Sequence, residues 1–183
     1  MKRRTTPLLI AALLAGLPLG VAHADPRADS LEAYKRAYVR FQRGEVRAAR
    51  VELLNAIKTD PENGLARLLQ ARVYLLLDNA VAAQSEVDNA RRVGVPVDKT
   101  HHLMAHALLL QDEADRALAE ADPARVPIQF ASYAARVRGR AQALHGKVDL
   151  AAAEFALAVR LAPDNADNHA DLARFKSATG DAA

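Results

Sequence analysis

The stretch AAAEFALAVRLAPDN, from Ala151 to Asn165, decides the fold. Its apolar residues recur at helical spacing and Pro163 closes it, which predicts an amphipathic helix that ends before the proline. An equivalent stretch, VRAARVELLNAIKTDPEN, closes at Pro61. Counting back from the later stretch in steps of thirty-four residues divides the chain into units 30–63, 64–97, 98–131 and 132–165, followed by a partial fifth unit, 166–183.

Three columns of small residues support this register. The eighth, twentieth and twenty-seventh positions hold only alanine or glycine, because two helices that pack at crystal-like density approach closely there. The residues are Ala37, Ala71, Ala105, Gly139 and Ala173, then Ala49, Ala83, Ala117 and Ala151, then Ala56, Ala90, Ala124 and Ala158. Larger residues take other fixed positions, with Tyr74 eleventh, Leu53 and Phe155 twenty-fourth, and Gly44 and Gly146 in the turn between helices.

Over residues 30–183 the chain resembles the tetratricopeptide repeat (TPR) family, whose units have this length and these small-residue positions. The resemblance implies an all-α fold: a right-handed superhelix built from antiparallel helix pairs. We predict helices near 30–43, 46–58, 64–77, 80–92, 98–110, 114–121, 129–145, 148–161 and 166–179. We expect Asp98 and Asp164–Asn165 to cap helix N-termini, and the prolines at 123 and 127 to shorten the second helix of the third unit.

The N-terminal segment predicts export. Residues 1–24 have a basic start, an apolar run from Leu8 to Leu19 and an Ala22-His23-Ala24 cleavage site, which is typical of a secretory signal peptide. Residues 25–29 would then form a short linker. The sequence contains no cysteine, so we expect neither disulfides nor a lipid anchor. These features predict a periplasmic protein of a Gram-negative bacterium that is not a lipoprotein.

The basic character of the chain belongs to this segment. The whole sequence has 25 basic and 22 acidic residues, and three of the basic ones lie in residues 1–24. The remainder is therefore balanced at 22 against 22. Such a balance gives no support to nucleic-acid binding.

The TPR resemblance places the partner-binding groove on the first helix of each unit. In the family this groove is lined mainly by the second, fifth, ninth, twelfth and thirteenth positions, and the last two supply apolar residues such as Leu75, Leu76, Leu109 and Leu110. The fifth and ninth positions lie one turn apart and project together, joined by the second position. They predict a groove formed by Tyr34, Tyr38, Leu68, Arg72, Lys99, His102, His106, Tyr133, Arg136, Arg140 and Arg174. The fifth and ninth positions contain four arginines and no carboxylate, and they begin with two tyrosines.

Two interpretations of the arginines remain open. Arginine binds carboxylates or phosphates through its planar fork, so the groove would favour an anionic partner, with tyrosines available for stacking. Alternatively, the arginines form a solvated face that pairs with acids on neighbouring helices, which contributes only about 0–1 kcal/mol per exposed pair. The TPR family's clamp for acidic peptide C-termini has Lys and Asn where this chain has Tyr34 and Tyr38, so that particular specificity is not expected.

Catalytic and metal-binding motifs are weak. No serine lies in a nucleophile elbow and no glycine run could cradle phosphate, so we expect a protein that is not an enzyme and needs no cofactor. His102 and His106 lie one turn apart and could chelate a metal, but no third ligand follows. Two histidines with ordinary hydrogen bonds are the simpler interpretation, and we predict no metal site.

A narrower resemblance concerns residues 30–120. The run ARLLQARVYLLLDNAVAAQSEVDNARRVGVP, followed by LMAHALLLQ, is similar to exported TPR proteins of exosortase (PEP-CTERM) and exopolysaccharide systems. It implies a scaffold for polysaccharide export or surface-protein sorting that binds a protein partner in its groove and meets the membrane only through its neighbours. Direct binding of an acidic envelope polysaccharide by the arginines and tyrosines is the alternative.

Overall fold

Nine α-helices make up the described part of the computed structural model, which covers residues 25–180. They are α1 (Pro26–Gln42), α2 (Val46–Thr59), α3 (Gly64–Leu76), α4 (Ala80–Arg92), α5 (His101–Leu109), α6 (Ala114–Glu120), α7 (Ala131–Leu144), α8 (Val148–Leu161) and α9 (Ala166–Thr179). Single 3-10 turns at Val97–Lys99 and Ile128–Phe130 precede α5 and α7. The predicted signal peptide lies outside the described residues.

The helices pack as consecutive pairs. α1 packs with α2, α3 with α4, α5 with α6 and α7 with α8, while the second helix of each pair also packs on the first helix of the next. Successive first helices α1, α3, α5 and α7 contact one another and form a continuous layer. This is the predicted all-α solenoid of helix pairs, since each pair packs mainly on its neighbours in the sequence. No helix within residues 25–180 is both long and apolar enough to cross a membrane.

The small-residue columns explain how closely the helices approach. Ala37, Ala71 and Ala105 are fully buried, as are the alanines of the twentieth column. A Cβ atom on Gly139 would lie 2.9 Å from the ring of Phe155, so a side chain as small as alanine would clash there. In two of these columns, one alanine is exposed rather than buried. Ala124 is exposed because α6 ends at Glu120, and Ala173 is exposed because no further described helix packs on α9.

A residue with positive φ follows the first helix of each of the five units. The fifteenth residue of each unit has positive φ: Gly44 (75°), Asp78 (53°), Asp112 (62°), Gly146 (70°) and Gly180 (81°). Glycine adopts this left-handed conformation without steric cost, whereas aspartate does so with some strain.

Two local predictions need correction, and two others are confirmed. Residues 26–29 are not part of a linker but the first turn of α1, because the Asp25 side chain caps that helix by accepting from the Arg27 N–H. Asp98 lies in a 3-10 turn, and α5 starts three residues later with Thr100 at its N-cap. The expected cap at Asn165 is present, since its side chain accepts from the Asn168 N–H at 3.2 Å. The prolines shorten α6 to seven residues, as predicted.

Candidate functional site

Six of the predicted groove residues line one cavity. It lies between α1, α3 and α5 and has a volume of about 180 Å³; we call it the N-terminal cavity. Its walls are Tyr34, Tyr38, Leu65, Leu68, Leu69, Arg72, Lys99, His102, Leu103 and Phe130. The cavity therefore combines an apolar and aromatic floor with two cationic side chains.

The two tyrosines of α1 form one edge of this cavity. Their ring centroids are 6.3 Å apart, and the Tyr38 hydroxyl accepts a hydrogen bond from Gln42 at 2.7 Å. Tyr38 is 43% exposed, so its ring is available to a ligand. Burial, followed by the proximity of Tyr38, raises the pKa of Tyr34, which keeps its hydroxyl protonated.

The cations of the N-terminal cavity face no acid. Arg72 and Lys99 are both exposed, and no carboxylate is among the described residues that line the cavity. The Arg72 guanidinium lies 4.9 Å from the centroid of the Phe41 ring, a cation–π contact that leaves its hydrogen-bond donors free for a ligand.

His102 forms the base of the cavity. It is 5% exposed and its ring stacks on Phe130 with centroids 3.9 Å apart, while its Nδ1 has no hydrogen-bond partner. Burial, followed by the nearby positive charge of Arg72, lowers the pKa of His102 to about 3. The imidazole is therefore neutral at physiological pH, and the positive charge of the cavity comes from Arg72 and Lys99.

A central cluster fills the groove next to this cavity. It consists of His106, Tyr133 and Arg136: Nδ1 of His106 and the Tyr133 hydroxyl share a hydrogen bond, and the Arg136 guanidinium lies 5.0 Å from the centroid of the Tyr133 ring. Burial is the main cause that lowers the pKa of His106 to about 4 and raises that of Tyr133 to about 12, so both side chains are neutral. Among residues 25–180 no three metal-ligating side chains lie together.

Acids from α9 pair with three of the four predicted arginines. Arg140 donates two hydrogen bonds to Asp171, at 2.9 and 2.7 Å, and Arg174 donates a third at 2.8 Å. Arg136 forms ion pairs with Asp167 at 2.9 Å and Asp171 at 3.5 Å. The Asp171 side chain is only 3% exposed.

This pairing corrects the expectation of an arginine surface without carboxylates. Asp167 and Asp171 occupy the second and sixth positions of the fifth unit, outside the fifth and ninth columns, yet they reach the arginines. The alternative interpretation, pairing with acids on a neighbouring helix, therefore describes Arg136 and Arg140, although Arg136 and Asp171 are buried rather than solvated. Arg174 pairs with Asp171 within α9 itself. Of the four predicted arginines, Arg72 is the one that forms no ion pair within residues 25–180.

A second, larger cavity lies between α5, α7 and α9. This C-terminal cavity has a volume of about 490 Å³ and is lined by Leu109, Leu110, Asp112, Arg140, Ala143, Leu144, Phe155, Asp171, Arg174, Phe175 and Ala178. Its walls are mainly apolar. Arg140 and Arg174 are the predicted site residues that border it, and their charge is offset by Asp171 and Asp112.

Solved structures of similar shape place this architecture among known folds. YrrB, a TPR protein with an unusual peptide-binding site, has a TM-score of 0.56 at 18% identity and covers 83% of this chain and 78% of its own. PilW, a widely conserved type IV pilus biogenesis factor, has a TM-score of 0.65 at 22% identity, with 82% and 70% covered. PilF of Pseudomonas aeruginosa gives 0.59 at 19% identity, with 86% and 72% covered. The fold is TPR-like.

No protein-family model matches the sequence, and no curated protein matches it either. The TPR-like register nevertheless explains which site residues sequence reasoning missed. The C-terminal cavity uses the twelfth and thirteenth positions of the first helices, including Leu109, Leu110, Ala143 and Leu144, in addition to the ninth. The TPR resemblance already places these two positions in the groove, whereas Phe155 and Phe175 stand at the twenty-fourth and tenth positions, outside the expected groove positions, and were missed.

Proposed function

We propose that this TPR-like chain is an exported protein-binding module that docks a segment of a partner protein along its first-helix layer. The observation that carries the proposal is the N-terminal cavity, where aromatic and apolar side chains, of which Tyr38 and Leu65 are exposed, surround two cations with no acid among the residues that line it. Apolar cavities with a few polar groups that converge on them are the usual form of a recognition site. YrrB, with its peptide-binding site, supports this use of the fold by analogy.

Binding, rather than catalysis, suits the chemistry of these residues. A general acid or base works best when its pKa lies near the working pH. His102 and His106 have pKa values lowered to about 3 and about 4, and Tyr133 has a pKa raised to about 12, so none of the three exchanges a proton readily near pH 7. Neutral side chains of this kind supply shape and hydrogen bonds to a partner.

The cellular setting forms the second part of the proposal. Residues 1–24 would direct the chain to the periplasm, where it would serve polysaccharide export or surface-protein sorting. Fractionation followed by N-terminal sequencing of the purified protein tests this setting. A periplasmic protein that begins at or close to Asp25 is expected, and a full-length cytoplasmic protein would overturn the export proposal.

In-cell photocrosslinking tests the binding proposal. A photoreactive residue replaces Leu65, which lines the cavity and is 56% exposed, and separately Val81, a 69% exposed residue of α4 away from the cavity. A discrete protein adduct is expected at position 65 only, and Arg72→Glu should abolish it. Equal adducts at both positions, or none at either, would overturn the proposal.

An acidic polysaccharide is the second candidate, favoured by the adjacent rings of Tyr34 and Tyr38. Tyrosine faces can stack on sugars, and Arg72 and Lys99 could bind their carboxylates. In this case the adduct at position 65 would be polydisperse and contain carbohydrate. It would also weaken steeply with salt, because many exposed charges would contribute along the polymer.

A further inference from the structure

The two cavities differ in charge. Arg72 and Lys99 line the N-terminal cavity without any acid among the described residues, so that it carries two net positive charges. The C-terminal cavity has two arginines and two aspartates, which leaves no net charge on mostly apolar walls. An acidic side chain would therefore be favoured in the first cavity, and an uncharged apolar side chain in the second.

The cavities are also a defined distance apart. The N-terminal cavity centres on α3 and the C-terminal cavity on α7, two steps along the layer of first helices. With about 8–10 Å between packed helices, this separation is roughly 20 Å. An extended chain rises about 3.3 Å per residue, so about six residues would span it.

Between the cavities the groove is closed. Tyr133 and His106 are hydrogen-bonded to each other, and Arg136 is 8% exposed and held by Asp167 and Asp171. The central cluster therefore offers a partner a surface but no third cavity. A bound segment would pass over it and place side chains into the cavities on either side.

Building on the proposed function, we propose that the groove recognises a two-part signal in an extended partner segment. The first part is an acidic side chain that Arg72 and Lys99 bind in the N-terminal cavity. The second part is an aromatic or large aliphatic side chain, about six residues away, that enters the C-terminal cavity. Both groups are internal side chains, so the segment needs no free C-terminus. Tyr34 and Tyr38 pack beside the acid, and Leu144 and Phe175 surround the apolar group.

Defined peptides test the proposal by fluorescence anisotropy on the purified chain. Each peptide has an acetylated N-terminus and an amidated C-terminus, and carries Asp and Phe in a Ser/Ala background at spacings of three, six or nine residues, in both orders. We expect the strongest binding at a spacing of six, in one of the two orders. Replacing Asp by Lys, or Phe by Ser, should weaken binding at least tenfold. No binding below a Kd of about 1 mM, or binding that is independent of spacing, would overturn the proposal.

One substitution in each cavity tests which part of the two-part signal that cavity binds. Arg72→Glu should weaken the Asp peptide at least tenfold and strengthen the matching Lys peptide. Leu144→Asp, at a side chain that is 60% exposed, should remove the preference for Phe over Ser while the folded state is kept. Val81→Asp is the matched control and should leave binding unchanged. If Arg72→Glu weakens the Asp and Lys peptides equally, the acid does not bind there and the assignment is wrong.

The outcomes separate this proposal from the proposed function. A discrete crosslinked protein together with no preference for the two-part peptides would leave the binding module standing and overturn only the two-part signal. Loss of the crosslink at position 65 as well would overturn both.

Discussion

At the scale of single residues, the fifteenth position of each unit shows how a repeated backbone tolerates different side chains. Gly44, Gly146 and Gly180 adopt positive φ freely, while Asp78 and Asp112 adopt it at some cost. The first two glycines stood out in the sequence as turn residues. The aspartates did not, because a carboxylate in a turn is also compatible with ordinary right-handed conformations.

Replacing Asp78 by glycine should stabilise the fold. Relief of the left-handed strain outweighs the extra flexibility of glycine in the unfolded chain, and we expect a gain of about 0.5–1 kcal/mol in the free energy of unfolding. Urea unfolding measures it. The control, Asp88→Gly inside α4, should instead lose about 0.3 kcal/mol, the difference in helix propensity between aspartate and glycine. If both variants are destabilised alike, the strain at position 78 is negligible.

Gly139 is expected to resist substitution by alanine. The added Cβ would lie 2.9 Å from the Phe155 ring, and overpacking of this kind costs about 1–3 kcal/mol. The first unit has Ala37 and Leu53 at the same two positions. The double variant Gly139→Ala, Phe155→Leu should therefore recover part of the loss in thermal unfolding. A single variant as stable as the parent would show that the ring can shift at no cost.

The buried histidines should make stability depend on pH. Their pKa values are lowered in the folded chain, to about 3 for His102 and about 4 for His106, whereas the unfolded chain has the ordinary value of 6.5. The unfolded state thus binds more protons below pH 6.5, and stability falls as the pH decreases. Each histidine contributes up to about 1.4 kcal/mol per pH unit.

Urea unfolding between pH 6.5 and 5 measures this slope while most carboxylates stay ionised. His102→Leu should reduce the slope by about half, since it removes one of the two buried titrating groups. The exposed His169, changed to Gln, is the control and should leave the slope as it was. An unchanged slope in His102→Leu would mean that His102 can become protonated in the folded protein.

At the scale of helices, hydrophobic period and proline position predicted the elements well. The predicted helices 80–92, 148–161 and 166–179 have those same bounds in the structure. The start of α5 was wrong because a 3-10 turn places Thr100, rather than Asp98, at the cap. Pairing of the arginines with acids on a neighbouring helix was one of the two open interpretations, but the sequence did not single out Asp171 as the acid. The predicted groove positions were compared within equivalent columns of the units, whereas an ion pair depends on how far side chains extend between neighbouring helices.

Asp171 should hold α9 in place. Its buried carboxylate is shared by Arg136, Arg140 and Arg174, and its loss leaves their charges without a partner. We expect Asp171→Asn to cost about 2–3 kcal/mol, and amide exchange in α9 to accelerate more than in α3. The control is Asp167→Asn, at a side chain that is 72% exposed, and it should cost under about 1 kcal/mol. Equal protection of α9 in both variants would contradict this role.

At the scale of the whole molecule, the core is divided. One buried cluster joins α1, α2 and α3, and the other extends from α3 to α7. Solenoid stability is approximately a sum over neighbouring units, so damage should remain local. The sequence predicted the units, but the division of the core depends on which partly buried side chains join the two clusters, and periodicity does not fix that.

Leu53→Ala tests the division. Leu53 is fully buried in the first cluster, and truncation should cost about 2–5 kcal/mol. Hydrogen exchange should then accelerate through α1 to α3 and change little in α7. Leu108→Ala, in the second cluster, is the matched variant and should show the reverse pattern. Uniform acceleration along the chain in both variants would mean that the solenoid unfolds as one cooperative unit.

The contact between Gly139 and Phe155 also limits how such a chain can evolve. The large ring fits only because its partner within the same pair has no side chain, and Leu53 fits opposite Ala37 by the same compensation. A recombination event that paired α8 with α1 would bring the Phe155 ring against the methyl group of Ala37. Pairing α2 with α7 would place Leu53 opposite Gly139 and leave a void. The heritable module is therefore the complete helical hairpin, and gene segments that exchange, duplicate or delete whole hairpins should survive where breakpoints inside a hairpin do not.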